Sequence, residues 1–237
     1  MNWAYRFDLW MIHLVNQFAH RSWLLDKTVG ALAYNMLLTG GVITALFWYA
    51  WVRESPRRKK DRSFILAGMF LNLPALVVAR AMALLLPFRE RPFVSSAVHL
   101  RIPFGAEAYP LIHWSSFPSD HAVMYFALAT TLCFVSRKLG VLAFCHAIIV
   151  VCIPLLYFGD HYPTDLIAGA LIGIGVAGLA TIDRVREAVS RPAFRWHLNS
   201  PATFYPAMYL CTLLIATQFD SVRTIAYGAW MALKRQP

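Results

Sequence analysis

Charged residues are scarce in this chain. Of its 237 residues only 14% are Asp, Glu, Lys or Arg, where a soluble domain carries about 25%. That shortage argues against a surface wetted on every side. Acids are scarcer than bases, 12 against 22. Cysteine is sparse too. Cys133, Cys145, Cys152 and Cys211 fall inside apolar stretches and show neither metal spacing nor loop pairing. No disulfide framework and no cysteine metal site are expected, and the expected role is that of small buried hydrophobes. No long internal repeat and no low-complexity tract is visible. No cleavable leader is expected, because Asp8, His13, Asn16 and Gln17 interrupt any apolar core within residues 1–22.

What is abundant is apolar length. Hydrophobic residues make up 59% of the chain, gathered into runs of roughly 17 to 25 residues, enough to span a bilayer core. The expectation is an all-α, polytopic membrane helix bundle of about six spans, forming one domain over residues 1–237. Residues 1–22 read as an interfacial helix with Trp3 and Tyr5 at headgroup depth. Spans are expected near residues 28–52, 64–87, 118–135, 141–158, 164–182 and 202–217, the last within a C-terminal addition over residues 200–237. A short amphipathic tail ending Lys234-Arg235-Gln236-Pro237 follows. Gly169 and Gly173, four apart, point to close helix packing.

The formal charge of +10 would suit a nucleic-acid partner, but its distribution argues otherwise. Arg53, Arg57, Arg58, Lys59, Lys60 and Arg62 share one connection, Arg137 and Lys138 another, and Arg184, Arg186, Arg191 and Arg195 a third. Alternate connections carry the excess, as the positive-inside rule requires. No nucleic-acid partner is expected. The same alternation places the Arg89–Arg91 segment, His121 and His161 together on the non-cytoplasmic side, although complete crossings separate them in sequence.

Those residues carry the reactive groups. His161 can attack phosphorus, and Asp165, one turn on if Pro163 opens a helix, can orient the ring. The alternative for the pair is a capping histidine with a favourable first-turn acid. His121 follows Pro118, with Ser116 as the expected N-cap, so backbone N–H groups at that helix start would face an anion. Ser119 can add a hydrogen bond and His121 can act as general acid. Arg89 and Arg91 supply charge for phosphate oxygens. Arg80 lies inside an expected span, where an arginine is costly unless it is functional or snorkels to water. The other histidines lack partners of comparable spacing.

The segments Arg91-Pro92-Phe93-Val94, Ser116-Phe117-Pro118-Ser119-Asp120-His121 and His161-Tyr162-Pro163-Thr164-Asp165 together resemble the type 2 phosphatidic acid phosphatase, or lipid phosphate phosphatase, superfamily. Its signature runs Lys, six residues, Arg-Pro; Pro-Ser-Gly-His; Ser-Arg, five residues, His, three residues, Asp. The resemblance covers roughly residues 60–180, the expected catalytic core, and in layout is closest to bacitracin-resistance-type undecaprenyl pyrophosphate phosphatases. It implies His161 as nucleophile, Asp165 as its orienter, His121 as general acid, Ser119 and Arg91 as phosphate binders, and a phosphohistidine mechanism needing no metal or other cofactor. Three positions depart from the pattern. Leu84 stands for the family lysine, Leu155 for the third-motif arginine, and Asp120 for the glycine. Arg80, one turn before Leu84, and Arg89, two before Arg91, are expected to compensate.

The resulting expectation is a hydrolase of the bacterial inner membrane with its site facing the periplasm. Its partner would be a membrane lipid, foremost undecaprenyl pyrophosphate. Phosphatases of other lipids (phosphatidic acid, phosphatidylglycerol phosphate, lipid A phosphate) and a non-catalytic binding or transport protein on the same scaffold are the alternatives. Oligomeric state is not legible.

Overall fold

A computed structural model describes residues 3–106 and 114–219. The expected C-terminal tail and His113 lie outside the described residues. Among the described residues every regular element is helical. The helices are α1 (Trp3–Asn16), α2 (Trp23–Tyr34), α3 (Val42–Val52), α4 (Arg58–Leu85), α5 (Asp120–Val135), α6 (Arg137–His146), α7 (Ile153–Tyr157), α8 (Pro163–Gly178), α9 (Asp183–Asn199) and α10 (Pro201–Ala216). A π-helical stretch, Ala147–Cys152, joins α6 to α7.

Among the described residues three stretches are long and apolar enough to cross a membrane: Arg58–Leu85, Arg137–Tyr157 and Pro163–Thr181. A fourth forms if Trp23–Tyr34 and Leu37–Val52, bent by 58°, count as one span. The other two expected spans coincide with the shorter apolar helices α5 and α10. The first expected span is thus broken, and Asn35 explains the break. Its Oδ1 accepts from the backbone N–H groups of Leu37 at 3.0 Å and Leu38 at 3.1 Å, starting a new helix where the old one would have continued.

The core is built around α5. Ala122, Val123, Tyr125, Ala129 and Leu132 are fully buried along it, enclosed by α4, α6 and α8. Gly169 and Gly173 explain how α8 comes so close. A Cβ at Gly169 would collide with the backbone of Ser119, and one at Gly173 with that of Val123. The two helix starts therefore lie side by side, tied by the Ser119 N–H donating to the Asp165 carbonyl at 3.2 Å. This contact, set by two glycines, fixes the spacing of everything the N-termini of α5 and α8 carry.

Two elements depart from expectation. Residues 183–199, read from their charge as a connection, form α9, which packs on α4. Arg186, Ser190 and Ala193 recur at helical spacing on its buried face, small or hydrogen-bonded residues that a charge count conceals. In α1, the polar residues read as mere interruptions are the docking face. Asp8, Ile12 and Asn16, each four apart, are buried, while Trp3, Trp10 and Leu14 are exposed. Asn16 donates to the carbonyls of Arg101 and Tyr157 and accepts from the Arg101 N–H. A helix with its polar stripe inward and its aromatics outward suits an apolar surround rather than water. Of the cysteines only Cys152 is buried; all four are free.

Candidate active site

Local structure sets each side chain. Pro163 occupies the first turn of α8, where its missing N–H costs nothing. The Asp165 carboxylate reaches back, Oδ2 accepting from the Tyr162 N–H at 2.8 Å, as a first-turn acid does. At α5 the cap is Ser119, not the expected Ser116: its Oγ accepts from the Ala122 N–H at 3.4 Å. The serine expected to bind phosphate is thereby fully buried and engaged with its own helix. Ser116 instead holds the connecting loop, its N–H donating to the Arg89 carbonyl at 2.9 Å.

His121 and His161 meet. Their ring centroids are 6.3 Å apart at an interplanar angle of 62°. Both rings line a cavity of about 340 Å³, together with Arg80, Arg91, Asp120 and Asp160. Leu155, at the position of the family's third-motif arginine, lines it as well. Leu84, at the family's lysine position, is 84% exposed.

The orientation of His161 differs from expectation. Its Nδ1 lies 2.8 Å from the Ser116 carbonyl and 3.7 Å from Asp165 Oδ2. A carbonyl can only accept, so Nδ1 carries the proton and Nε2 keeps a lone pair. That lone pair lies 3.5 Å from Arg91 Nη1. Asp165 therefore stands behind the ring as a nearby charge, while a backbone carbonyl fixes the tautomer.

Asp165 is itself held. Arg89 Nη1 donates to Asp165 Oδ1 at 2.5 Å and to Thr164 Oγ1 at 2.8 Å. Arg89 Nη2 donates to Asp8 Oδ2 at 2.6 Å. Asp8 also accepts from the Thr164 N–H at 2.9 Å and the Thr164 hydroxyl at 2.7 Å. The guanidinium stacks 4.0 Å from the Tyr162 ring centre, a favourable cation–π contact. Arg89 is thus bound between two carboxylates and does not line the cavity, contrary to the expected phosphate-binding role. Asp8 was not anticipated. The signal was present in its four-residue spacing to Ile12 and Asn16, which marks a common face.

Arg91 and Arg80 do line the cavity. Arg91 is 8% exposed; Nη1 donates to the Asp160 carbonyl at 2.8 Å, and its Nε is buried without a hydrogen-bond partner. Burial lowers its pKa, against the opposing pull of Asp160 and Asp165, but a guanidinium stays charged. Arg80 forms an ion pair with Asp120 and lies 4.7 Å from the Trp114 ring centre.

Asp160 is the other residue that sequence reasoning passed over. It is buried, accepts from the Tyr34 hydroxyl at 3.3 Å, and has its pKa raised above 3.8 by burial, with His161 and Arg91 opposing. A raised carboxyl pKa means the folded state binds the proton more tightly. The stability this brings is complete below pH 3.8 and is lost as pH rises through the raised value. Asp160→Asn removes that loss. The variant is expected to melt above the wild type at neutral pH, with the gap closing on acidification. Melting temperatures across this range check it, and a pH-independent gap contradicts it.

Comparison with known proteins bears on this geometry. The family model of the PAP2 superfamily matches residues 84–187. These residues form a PAP2 superfamily domain. Arg91, His121, His161 and Asp165 lie within it; Asp8 and Arg80 reach the site from outside it. The undecaprenyl-diphosphatase BcrC of Bacillus subtilis (strain 168) is 24% identical over 160 residues, covering 68% of this chain and 75% of that protein. The bacitracin transport permease protein BcrC of Bacillus licheniformis is 26% identical over 168 residues, covering 68% and 72%. The crystal structure of Aquifex aeolicus LpxE superposes with a TM-score of 0.52 at 26% identity, over 73% of this chain and 94% of that one. The PAP2 domain thus supplies the facing histidines, and the helices on either side of it supply their surroundings.

Proposed function

We propose that this protein is a membrane phosphatase that removes phosphate from a lipid pyrophosphate or phosphomonoester, foremost undecaprenyl pyrophosphate. The observation that carries the reading is the facing of His121 and His161 across a cavity lined by Arg91, with the His161 Nε2 lone pair turned toward that arginine. The substrate choice rests on the likeness to undecaprenyl-diphosphatase BcrC.

In the first step His161 Nε2 attacks phosphorus. An N–P bond forms, the bond to the bridging oxygen breaks, and His121 donates a proton to the departing oxygen. In the second step water attacks phosphorus, His121 takes its proton, and the N–P bond breaks to release phosphate. Arg91 neutralises charge on the phosphoryl oxygens from the cavity wall. Asp165 stabilises the imidazolium formed at His161. Ser119 shapes the site by capping α5. Arg89 and Asp8 are positioning residues: they hold Asp165 and the first turn of α8. The catalytic core is residues 60–180, flanked by the interfacial α1 and the C-terminal helices. The enzyme sits in the bacterial inner membrane with this cavity at the periplasmic face.

Phosphate release from undecaprenyl pyrophosphate, run beside phosphatidic acid, tests the substrate. Faster turnover of phosphatidic acid transfers the chemistry to another lipid. The name of the Bacillus licheniformis relative favours a second reading, a transport-related protein on this scaffold. Absence of turnover on every lipid phosphate would support it.

Arg80 offers a further prediction. It enters the cavity one turn before Leu84, where the family lysine would stand, but shares its charge with Asp120. Arg80→Ala is expected to lower kcat/KM about tenfold, the low end for a charge-assisted hydrogen bond. A wild-type rate constant ends the idea of compensation.

A further inference from the structure

A second cavity lies at the far end of the bundle. It encloses about 760 Å³ between the start of α4 and one face of α9. Six cationic side chains line it. Arg57, Lys59 and Lys60 come from the α4 side, and Arg186, Arg191 and Arg195 from α9. Among the described residues only Asp183 and Glu187 oppose them. These acids are already engaged, Asp183 with Arg186 at 2.5 Å and Glu187 with Arg191 at 2.8 Å. The Asp183 carboxyl is accordingly held below its usual pKa by Arg186. Among the described residues Lys59, Lys60 and Arg195 form no ion pair.

The positive-inside rule accounts for cations on this side. It does not account for their concave arrangement or for Arg186. That residue is 7% exposed, and its head donates to the Ala180 carbonyl and stacks on Phe64. Its Nε is nevertheless buried without a partner. Arg186 thus holds a buried positive charge in the wall of the cavity.

Position identifies the source of a ligand for this cavity. Lys59 and Arg80 are 21 residues apart on α4, about 31 Å along a helix. That matches the hydrocarbon thickness of a bilayer, so the cavity lies at the membrane boundary opposite the catalytic one. Phe194 and Leu198 contribute apolar lining, and Leu198 and Ile182, next to the lining Asp183, are exposed. Cationic walls beside exposed aliphatic groups match a ligand with an anionic head and hydrocarbon tails.

We propose that this cavity binds the phosphate headgroup of an anionic phospholipid, a phosphodiester that is held there and not hydrolysed. Lys59, Lys60 and Arg195 would grip its phosphate, Arg186 would add its charge from the cavity wall, and its tails would lie against the exposed aliphatic residues. A free phosphate shares the first part of this chemistry but not the second. The proposal is independent of what the catalytic site acts on.

Native mass spectrometry of the full-length protein in detergent tests it, with phosphatidylglycerol, phosphatidylcholine and inorganic phosphate as separate probes. Phosphatidylglycerol is expected to bind at least tenfold tighter than phosphatidylcholine. The Lys59→Gln/Lys60→Gln/Arg195→Gln variant, altered only at exposed positions, is expected to weaken it about 100-fold, each charge near a membrane surface contributing about fivefold. Arg186→Gln, measured separately, is expected to weaken it with the surface charges intact. Equal retention of phosphatidylglycerol by the triple variant overturns the proposal. So does a wild type that does not distinguish the two lipids, or one that takes inorganic phosphate in their place.

Discussion

His161→Ala is expected to lower phosphate release from lipid pyrophosphate by at least about 10⁴-fold, the scale seen when a catalytic triad loses a member. The expectation follows from geometry. The Ser116 carbonyl holds the Nδ1 proton at 2.8 Å, leaving Nε2 as the one ring atom able to attack. Alanine leaves no nucleophile, and water in its place would lack orientation. The loss should fall in kcat, because Arg91, its backbone partner at Asp160 and the rest of the cavity remain to bind phosphate. Labelled substrate should leave acid-labile phosphate on the wild type and none on the variant. His121→Ala gives a second readout. Its proton matters most for a poor leaving group, so this variant should lose more on a phosphomonoester, which expels an alcohol, than on a pyrophosphate, which expels a phosphate. Turnover by His161→Ala within tenfold of wild type would remove the phosphohistidine mechanism.

Replacing Asp8 should produce the second largest effect, although Asp8 lies in α1, outside the PAP2 domain. Its carboxylate is fully buried and binds three groups: the Arg89 guanidinium, the Thr164 N–H and the Thr164 hydroxyl. Asp8→Ala leaves Arg89 with Asp165 as its one carboxylate partner and the first turn of α8 with an unsatisfied donor. Loss of one partner from a buried ion pair costs about 3 kcal/mol of stability. Asp165 and His161 sit on that turn, so kcat is expected to fall about 100-fold through misplacement of the reacting group. KM should move little, since Asp8 does not line the cavity. Asp8→Asn keeps an acceptor for Thr164 and loses only the charge, and should recover part of kcat. A merely structural role would lower the yield of folded protein and leave kcat per folded molecule unchanged. That outcome, read from active-site titration, would reject positioning by α1.

Arg89 shows where reading the sequence failed. Beside Arg91 and near a gap in the family pattern, it looked like a spare phosphate ligand. Spacing cannot reveal that two carboxylates far apart in the chain, Asp8 and Asp165, both bind it. Asp160 was overlooked for a related reason. Next to a histidine it looks like an ordinary turn acid, and only burial beside Tyr34 raises its pKa. The break after Tyr34 depends on one side-chain amide, Asn35, that hydropathy ignores. By contrast, Gly169 and Gly173 were readable, because small residues four apart leave few uses other than close packing.

From sequence alone came the all-helical class, the apolar stretches, the pairing of His161 with Asp165 on one helix start, and the recurrence of His121 at another. Each depends on neighbours within one or two turns, which periodicity and caps encode directly. Tertiary structure alone decided which carbonyl orients His161, that Arg89 faces Asp8 instead of the cavity, and that α9 closes a cationic cleft against α4. Those outcomes depend on the relative placement of helices far apart in the chain. That placement is set by helix packing, at Gly169 and Gly173 for α5 on α8 and by separate contacts for α1 and α9, a property of surfaces in contact rather than of any local run of residues.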